Sequence, residues 1–483
     1  MYLGIDLGTS GIKAVLMTEQ GHIIASKTAS LTISRPKELW SEQDPQEWWQ
    51  ATLQVIEQLA SQHTMSEVKA IGLSGQMHGA VTLTSNGDII RPAILWNDGR
   101  CQAECHELEE MVPTSRGITG NIMMPGFTAP KVKWLQHHEP ENFAKIAMVL
   151  LPKDYLRFRL TGDYASDLSD SAGTMWLDVA KRDWSDEILA ACGLSRVNMP
   201  KLYEGNQVTG YLTLELAKHL GMAQVPVVAG AGDNAAGAIG MGIIKSGQAM
   251  LSLGTSGVYF AVNNQYSANP ESALHSFCHA LPNSWHLMSV ILSAASCLDW
   301  VAKLTHYDNV AVMLEDVEAH GQFNEKLVFL PYLSGERTPH NNPNAKGVFF
   351  GMSHETSRAD LVLAVLEGVS FAFKDGFAAM DQAELDTDEI TLIGGGAKSV
   401  FWRQMLANIT AATLTYREGG DVGPALGAAR LAQVGVHPEA SLDEICPKPE
   451  LLQIHKPDEK TYPRYQAKYQ LYQQLYQRLH DIM

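Results

Sequence analysis

Apolar residues along the chain fall into two alternating patterns. Short, nearly continuous apolar runs bounded by glycine or polar residues predict buried strands at residues 3–5, 12–16, 68–73, 225–230, 258–262 and 389–393. Between and after these runs, apolar side chains recur three and four positions apart. That spacing predicts amphipathic helices through Trp48, Thr52, Val55, Ile56 and Leu59, through Leu361, Val365, Leu366, Val369 and Phe373, and through Phe401, Met405, Leu406 and Ile409. The first of them carries its own start signal, with Asp44 as N-cap, Pro45 in the first turn and Glu47 placed to close a capping box. Two further helices, after Asp233 and after Gly423, begin with runs of alanine and glycine, which suit close packing on a neighbour. The tail from Tyr462, with Tyr465, Tyr469, Tyr472 and Tyr476, is expected to be a peripheral packing helix. Strands alternating with helices predict an α/β protein.

One strand-turn-strand unit occurs twice. Leu7-Gly8-Thr9-Ser10-Gly11, flanked by apolar strands, returns unchanged as Leu253-Gly254-Thr255-Ser256-Gly257, and only the residue before it differs, Asp6 in the first copy and Ser252 in the second. A repeat at half the chain length predicts a duplicated fold with two domains, residues 1–243 and 244–483, and a cleft between them. The backbone N–H groups and hydroxyls of such a turn converge on one point, a cradle for an anion. Two of them facing each other are expected to hold a polyphosphate. The Asp6/Ser252 exchange fits a carboxylate beside Mg²⁺ on one side and a hydroxyl donor on the other.

Length agrees with the duplication, because 483 residues exceed what one hydrophobic core usually supports. A net charge of −17, from 36 Lys and Arg against 53 Asp and Glu, argues against nucleic acid and anionic membranes as partners. The N-terminus carries no export-signal pattern, and the apolar run from Val225 is broken by Asp233, so the expected location is the cytoplasm. The six cysteines form no Cys-x-x-Cys pair and are expected to be reduced.

Polar groups cluster where predicted strands end, which is where α/β proteins put their ligands. Ser74-Gly75-Gln76-Met77-His78-Gly79 follows one strand and brackets His78 with glycines. Trp96-Asn97-Asp98-Gly99-Arg100 follows another and offers a sugar hydrogen-bonding side chains beside an aromatic plate. Gly232-Asp233-Asn234 places Asp233 at a helix N-terminus facing the cleft, as a candidate general base or a plain helix cap. Gly394-Gly395-Gly396 would let a flat base or a phosphate sit against the main chain.

With those residues in place, the chain resembles the FGGY family of carbohydrate kinases over nearly its whole length. The resemblance is carried by Asp6-Leu7-Gly8-Thr9-Ser10, by Trp40-Ser41-Glu42-Gln43-Asp44-Pro45, by the segment from Gly126-Phe127-Thr128 to Trp134-Leu135, by Gly347-Val348-Phe349-Phe350-Gly351, and by Gly394-Gly395-Gly396-Ala397. It implies two duplicated ATPase domains of the actin and hexokinase (ribonuclease H-like) type, and transfer of the ATP γ-phosphoryl group to a sugar hydroxyl with Mg²⁺. Within the family, Met77-His78 stands where glycerol-phosphorylating members have an Arg-Glu pair. Together with the segments at Trp96 and Asp233, this resembles the branch acting on the 5-hydroxyl of D-xylulose. The resemblance further implies Met77, His78, Trp96, Asp233 and Asn234 as sugar contacts, and Asp6 with Asp233 as catalytic and magnesium-assisting carboxylates. Gly8, Thr9, Ser10, Lys13, Gly254 and Thr255 would face the phosphates, and Gly394, Gly395 and Gly396 the adenosine. The expected partners are the sugar, ATP and a second copy of the chain. A chaperone or filament protein of the same fold would keep both turns and lack the sugar pocket.

Overall fold

In the computed structural model, which describes residues 1–418 and 423–483, the strands gather into two sheets of seven strands each. The first holds β1 (Tyr2–Leu7), β2 (Gly11–Met17), β3 (Ile23–Ser30), β4 (Ala70–Gly75), β5 (Val208–Tyr211) and β6 (Pro226–Val228), in the order β5-β6-β4-β1-β2-β3, with the short strand Ala231–Gly232 also paired to β4. The second holds β7 (Gln248–Leu253), β8 (Gly257–Asn263), β9 (His275–Cys278), β10 (Trp285–Ile291), β11 (Glu389–Ile393), β12 (Leu414–Arg417) and β13 (Leu451–His455), in the order β9-β10-β8-β7-β11-β12-β13.

Five strands correspond between the sheets. β3, β2 and β1 are antiparallel and β1, β4 and β6 parallel, as are β10, β8 and β7 and then β7, β11 and β12. The repeated turn therefore sits at the same point of each sheet, between the first antiparallel pair.

Helix α1 (Pro45–Ala60) lies on β2 and β3 with Trp48, Val55, Ile56 and Leu59 fully buried, each worth about 1.5–3 kcal/mol for the aliphatic side chains. Its cap differs from the expected box. The Asp44 carboxylate accepts from Gln46 N at 2.9 Å, while Glu47 N donates to the Asp44 carbonyl and the Glu47 side chain does not return the bond. The short aspartate side chain reaches the second helical residue, and Pro45 has no N–H to offer.

Helices α2 (Thr128–His138), α3 (Pro152–Thr161) and α4 (Asp233–Gly240) complete the frame of the first half; α5 (Arg358–Gln382), α6 (Val400–Thr410), α7 (Pro424–Val436) and α8 (Tyr462–Leu479) belong to the second. Two of these cross between the halves. α7 packs on β1 and β4 of the first sheet and against α4, while Ala238 of α4 shares a core with Phe260 and Phe277 of the second sheet. The alanine and glycine runs make this possible. A Cβ on Gly72 would stand 1.8 Å from the Ala428 carbonyl oxygen, and one on Gly427 1.8 Å from that of Ala236, so only glycine permits these approaches.

The tyrosine-rich α8 is a packing helix, as its spacing predicts. Tyr472 is fully buried with its hydroxyl 2.7 Å from that of Tyr332, and Lys468 pairs with buried Glu367 of α5. No helix among the described residues is long and apolar enough to cross a membrane.

Candidate active site

Both repeated turns are held from below. In the first, Gly8 N donates to Gly11 O at 2.9 Å, and Gln43 Nε2 donates to Thr9 O at 2.8 Å. The Thr9 hydroxyl accepts from Trp96 Nε1 at 2.9 Å and donates to Gln76 Oε1 at 3.1 Å, so it ties the turn to two other strand ends. Ser10 at the tip is exposed. In the second turn, Ala295 N donates to Gly254 O at 2.8 Å, and the Thr255 carbonyl accepts from Ala294 N and from Ser296 Oγ.

Two cavities share that second turn. The larger, of about 850 Å³, is lined by Gly254, Thr255, Gly395, Gly396, Phe401 and the inner side of the helix Val310–His320. Gly394 stands behind its wall with φ 89°, and a Cβ there would lie 2.8 Å from the Leu253 carbonyl carbon, so its part is to let β11 and β7 meet. The smaller cavity, of about 260 Å³, brings together Met77, His78, Trp96, Asp233 and Asn234, all five of the residues expected at the sugar. Its other wall holds residues not expected at the sugar: Ser256 of the repeated turn, Val258, His275 and Arg337 reach it from the second half, and Phe127 closes it from the start of α2. Thr255 faces one cavity and Ser256 the other, so ligands in the two would meet at this turn.

Burial sets the charge state of the site. Asp233, first residue of α4 with Gly232 as the N-cap, accepts from Asn234 N at 2.7 Å and Asn234 Nδ2 at 2.9 Å through Oδ1. Burial pushes its carboxyl up to about 6 against those two hydrogen bonds. Asp6, near the end of β1 opposite Lys13 in the β1–β2 register, is pushed up to about 7, first by burial and then by the charge of Asp233; Ser74 and Lys13 oppose the shift. Asp6 Oδ1 is enclosed and has no hydrogen-bond partner. Two mutually repelling carboxylates, one with an orphaned oxygen, have the chemistry of a divalent-cation site, so Mg²⁺ fits the residues present.

His78 is the reverse case. Burial, then the nearby Lys131 cation, drives its imidazole down to about 3, with the Gly173 bond opposing, so the ring is neutral. Its Nδ1 lies 2.8 Å from the Gly173 carbonyl, which can only accept, so Nδ1 carries the proton. Nε2 is then left as an acceptor for a ligand hydroxyl. The left-handed backbone at His78, φ 69°, is pinned by Lys131 Nζ at 2.9 Å and Thr128 Oγ1 at 3.1 Å, both donating to its carbonyl.

Below the strand ends lies a fully buried cation among three carboxylates. Lys153 Nζ, on the first turn of α3, is 2.5 Å from Asp154, 2.7 Å from Asp167 and 3.5 Å from Asp170. Its ammonium is raised because the three carboxylates outweigh the opposing effect of burial, while burial raises Asp154 and Asp170. Asp167 Oδ2 accepts from Ser169 Oγ at 2.5 Å, and Ser169 Oγ accepts from Gly232 N at 3.2 Å, so the cluster braces the residue before Asp233. Removing the cation strands the carboxylates. Lys153→Met is expected to lose about 3–5 kcal/mol of stability, read as a lower urea midpoint; an unchanged midpoint would refute this role.

The segment after Trp96 does not supply ligand-binding carboxylates. Asp98 is buried, accepts from Ser41 N at 2.6 Å and pairs with Arg100 at 2.6 Å, and Arg100 also contacts Glu42 and stacks over Trp40. These side chains face one another because a buried charge must be paired, which leaves only Trp96 for the cavity.

Comparison with known proteins places this geometry. Residues 1–240 match the N-terminal domain and residues 249–436 the C-terminal domain of the FGGY family of carbohydrate kinases. The chain is 61% identical over 468 residues, 97% of each chain, to the xylulose kinase of Escherichia coli (strain K12), and 57% identical over 96% of each chain to that of Klebsiella pneumoniae. Among solved structures, a xyloylose kinase from Brucella ovis superposes with a TM-score of 0.96 at 46% identity over 100% of both chains.

Proposed function

The chain belongs to the FGGY family of carbohydrate kinases, and from that premise we propose that it transfers the γ-phosphoryl group of ATP to the 5-hydroxyl of D-xylulose, giving D-xylulose 5-phosphate and ADP. The observation that carries this is the shared turn at residues 253–257. It lines a nucleotide-sized cavity on one side and a small polar-walled cavity holding Asp233 on the other. The relatives named xylulose kinase supply the sugar.

In this scheme ATP lies in the larger cavity with its adenosine on Gly395 and Gly396 and its phosphates between the two turns, near Gly8, Ser10, Lys13, Gly254 and Thr255. The sugar occupies the smaller cavity, with His78 Nε2 accepting from one hydroxyl and Asn234 and the Met77 backbone holding others. Asp233 orients the 5-hydroxyl and takes its proton as it attacks the γ-phosphorus in line. Asp6 and Asp233 would hold Mg²⁺, which when bound neutralises charge on the transferring group. The small cavity draws its walls from both halves, 1–243 and 244–483, which shields the phosphoryl group from water. A reaction that consumes ATP supports a cytoplasmic location.

A coupled ATP-consumption assay across D-xylulose, hexuloses, glycerol and gluconate tests the proposal. D-Xylulose should give the highest kcat/KM; a higher value for any other acceptor refutes the substrate.

His78→Ala should raise the KM for D-xylulose by an amount equivalent to about 1–3 kcal/mol, because a site built to pair a hydroxyl loses its partner. The KM for ATP should stay within twofold or so of the parent. Because the imidazole is held neutral, it should add no inflection to the pH profile between 5 and 9. Equal loss of both affinities would mean general damage instead.

A further inference from the structure

Arg337 enters the small cavity from the second half, on a loop fixed before any ligand arrives. Glu336 Oε1 accepts from Leu292 N at 2.9 Å and Arg337 N at 2.8 Å, while Thr338 Oγ1 accepts from Val290 N and Thr338 N donates to Val290 O, both at 3.1 Å. The guanidinium itself is almost unpartnered. Its one hydrogen bond among the described residues is from Nη1 to His275 Nε2 at 3.4 Å, and no carboxylate there lies within ion-pair distance of it.

The direction of that bond is determined. Asn121 Nδ2 donates to Thr119 O and Ser276 O, so Asn121 Oδ1 is the acceptor for His275 Nδ1, 3.3 Å away, and for Ser276 N. His275 thus carries its proton on Nδ1 and accepts from Arg337 through Nε2. Among the described residues the neutral imidazole is the guanidinium's one side-chain hydrogen-bond partner, with the Glu336 carboxyl the charge acting on it, so its remaining N–H groups are open to a ligand in the cavity.

The charge of Arg337 acts on His78 and His275, whereas it is not among the influences on Asp233 or Asp6. Arg337 bonds His275, whose ring stands edge-on to Phe127 at 5.5 Å, and Phe127 stands edge-on to His78 at 4.8 Å, so the guanidinium lines the cavity on its His78 side. Resting on the D-xylulose assignment, we propose that Arg337 is a specificity determinant: it binds the C1 hydroxyl and C2 carbonyl oxygens of the sugar, and it gives the cavity affinity for five-carbon aldonates, whose carboxylate takes the same place. A planar guanidinium matches a carboxylate in two parallel hydrogen bonds.

The test compares the parent with Arg337→Met and Arg337→Lys. Turnover of D-xylulose by the parent checks the underlying assignment separately. For the inference, Arg337→Met should raise the KM for D-xylulose about 10- to 100-fold, with kcat and the KM for ATP nearly unchanged. D-Xylonate should inhibit the parent competitively against D-xylulose and should no longer inhibit Arg337→Met. Arg337→Lys, which keeps the charge without the fork, should fall between. The inference is overturned if the parent ignores D-xylonate, if Arg337→Met retains the parental KM and inhibition, or if kcat and both KM values change together in both variants. Thermal melting of each variant with ATP present confirms that a folded, nucleotide-binding protein is being compared.

Discussion

Asp233→Asn should lower kcat by about 10²- to 10⁴-fold while D-xylulose and ATP still bind. Asparagine keeps the size of the side chain and its acceptor for Asn234 N, so the start of α4 is preserved. What it removes is the proton acceptor. With its carboxyl pushed up to about 6 by burial, Asp233 is ionised at neutral pH yet basic enough to take a proton from the attacking hydroxyl. The ionised form is active, so kcat/KM in the parent should fall as pH drops through about 6. In Asp233→Asn that limb should vanish from the residual rate. A role confined to helix geometry predicts full activity for asparagine and lost stability for Asp233→Ala, and kcat and Tm for both variants separate the two.

Asp6→Asn should reduce turnover by about 10²- to 10³-fold through loss of electrostatic support for the transferring group. It should also stabilise the metal-free protein above neutral pH. Asp6 has its carboxyl pushed up to about 7 in the folded chain, against an ordinary 3.8, by burial and the Asp233 charge. Between those values the folded state holds a proton that the unfolded state has released, so this group makes stability fall as pH rises. Replacing it with a neutral amide removes that dependence. With EDTA present, the Tm of the variant should exceed that of the parent at pH 8 and approach it at pH 5. A variant that turns over normally at limiting Mg²⁺ would show that Asp6 does not serve the metal, and a Tm difference between variant and parent that does not change with pH would show that the Asp6 carboxyl is not raised in the folded chain.

Much of this was legible from residue order. The two turns and their strands, the helix faces at Trp48, Leu361 and Phe401, and the alanine-glycine runs all depend on spacing over a few residues, where periodicity and turn chemistry act locally. His78, Asp233 and Asn234 could be picked out because a strand end places polar groups at a ligand. The same logic offered the polar groups of the Trp96–Arg100 segment to a sugar, and nothing local shows that Arg100 and Ser41 would consume the oxygens of Asp98. Arg337 and His275 carried no signal for the sugar cavity, and Ser256 was legible only as part of the phosphate turn, because all three reach this cavity only when the second sheet faces the first.

The sequence by itself determined that there are two like halves, the strands around the repeated turns and the helices with strong apolar periodicity, and which of those strand ends carry polar side chains. Tertiary structure alone decided how the elements pair and what charge each group bears. α7 crosses to the first sheet because small side chains meet backbone at Gly72 and Gly427, a contact between residues far apart in the chain. The neutral His78, the raised Asp6 and Asp233, and the Lys153 cluster exist because burial withdraws water from ionisable groups and puts particular neighbours in its place. Neither burial nor those neighbours is written in local spacing.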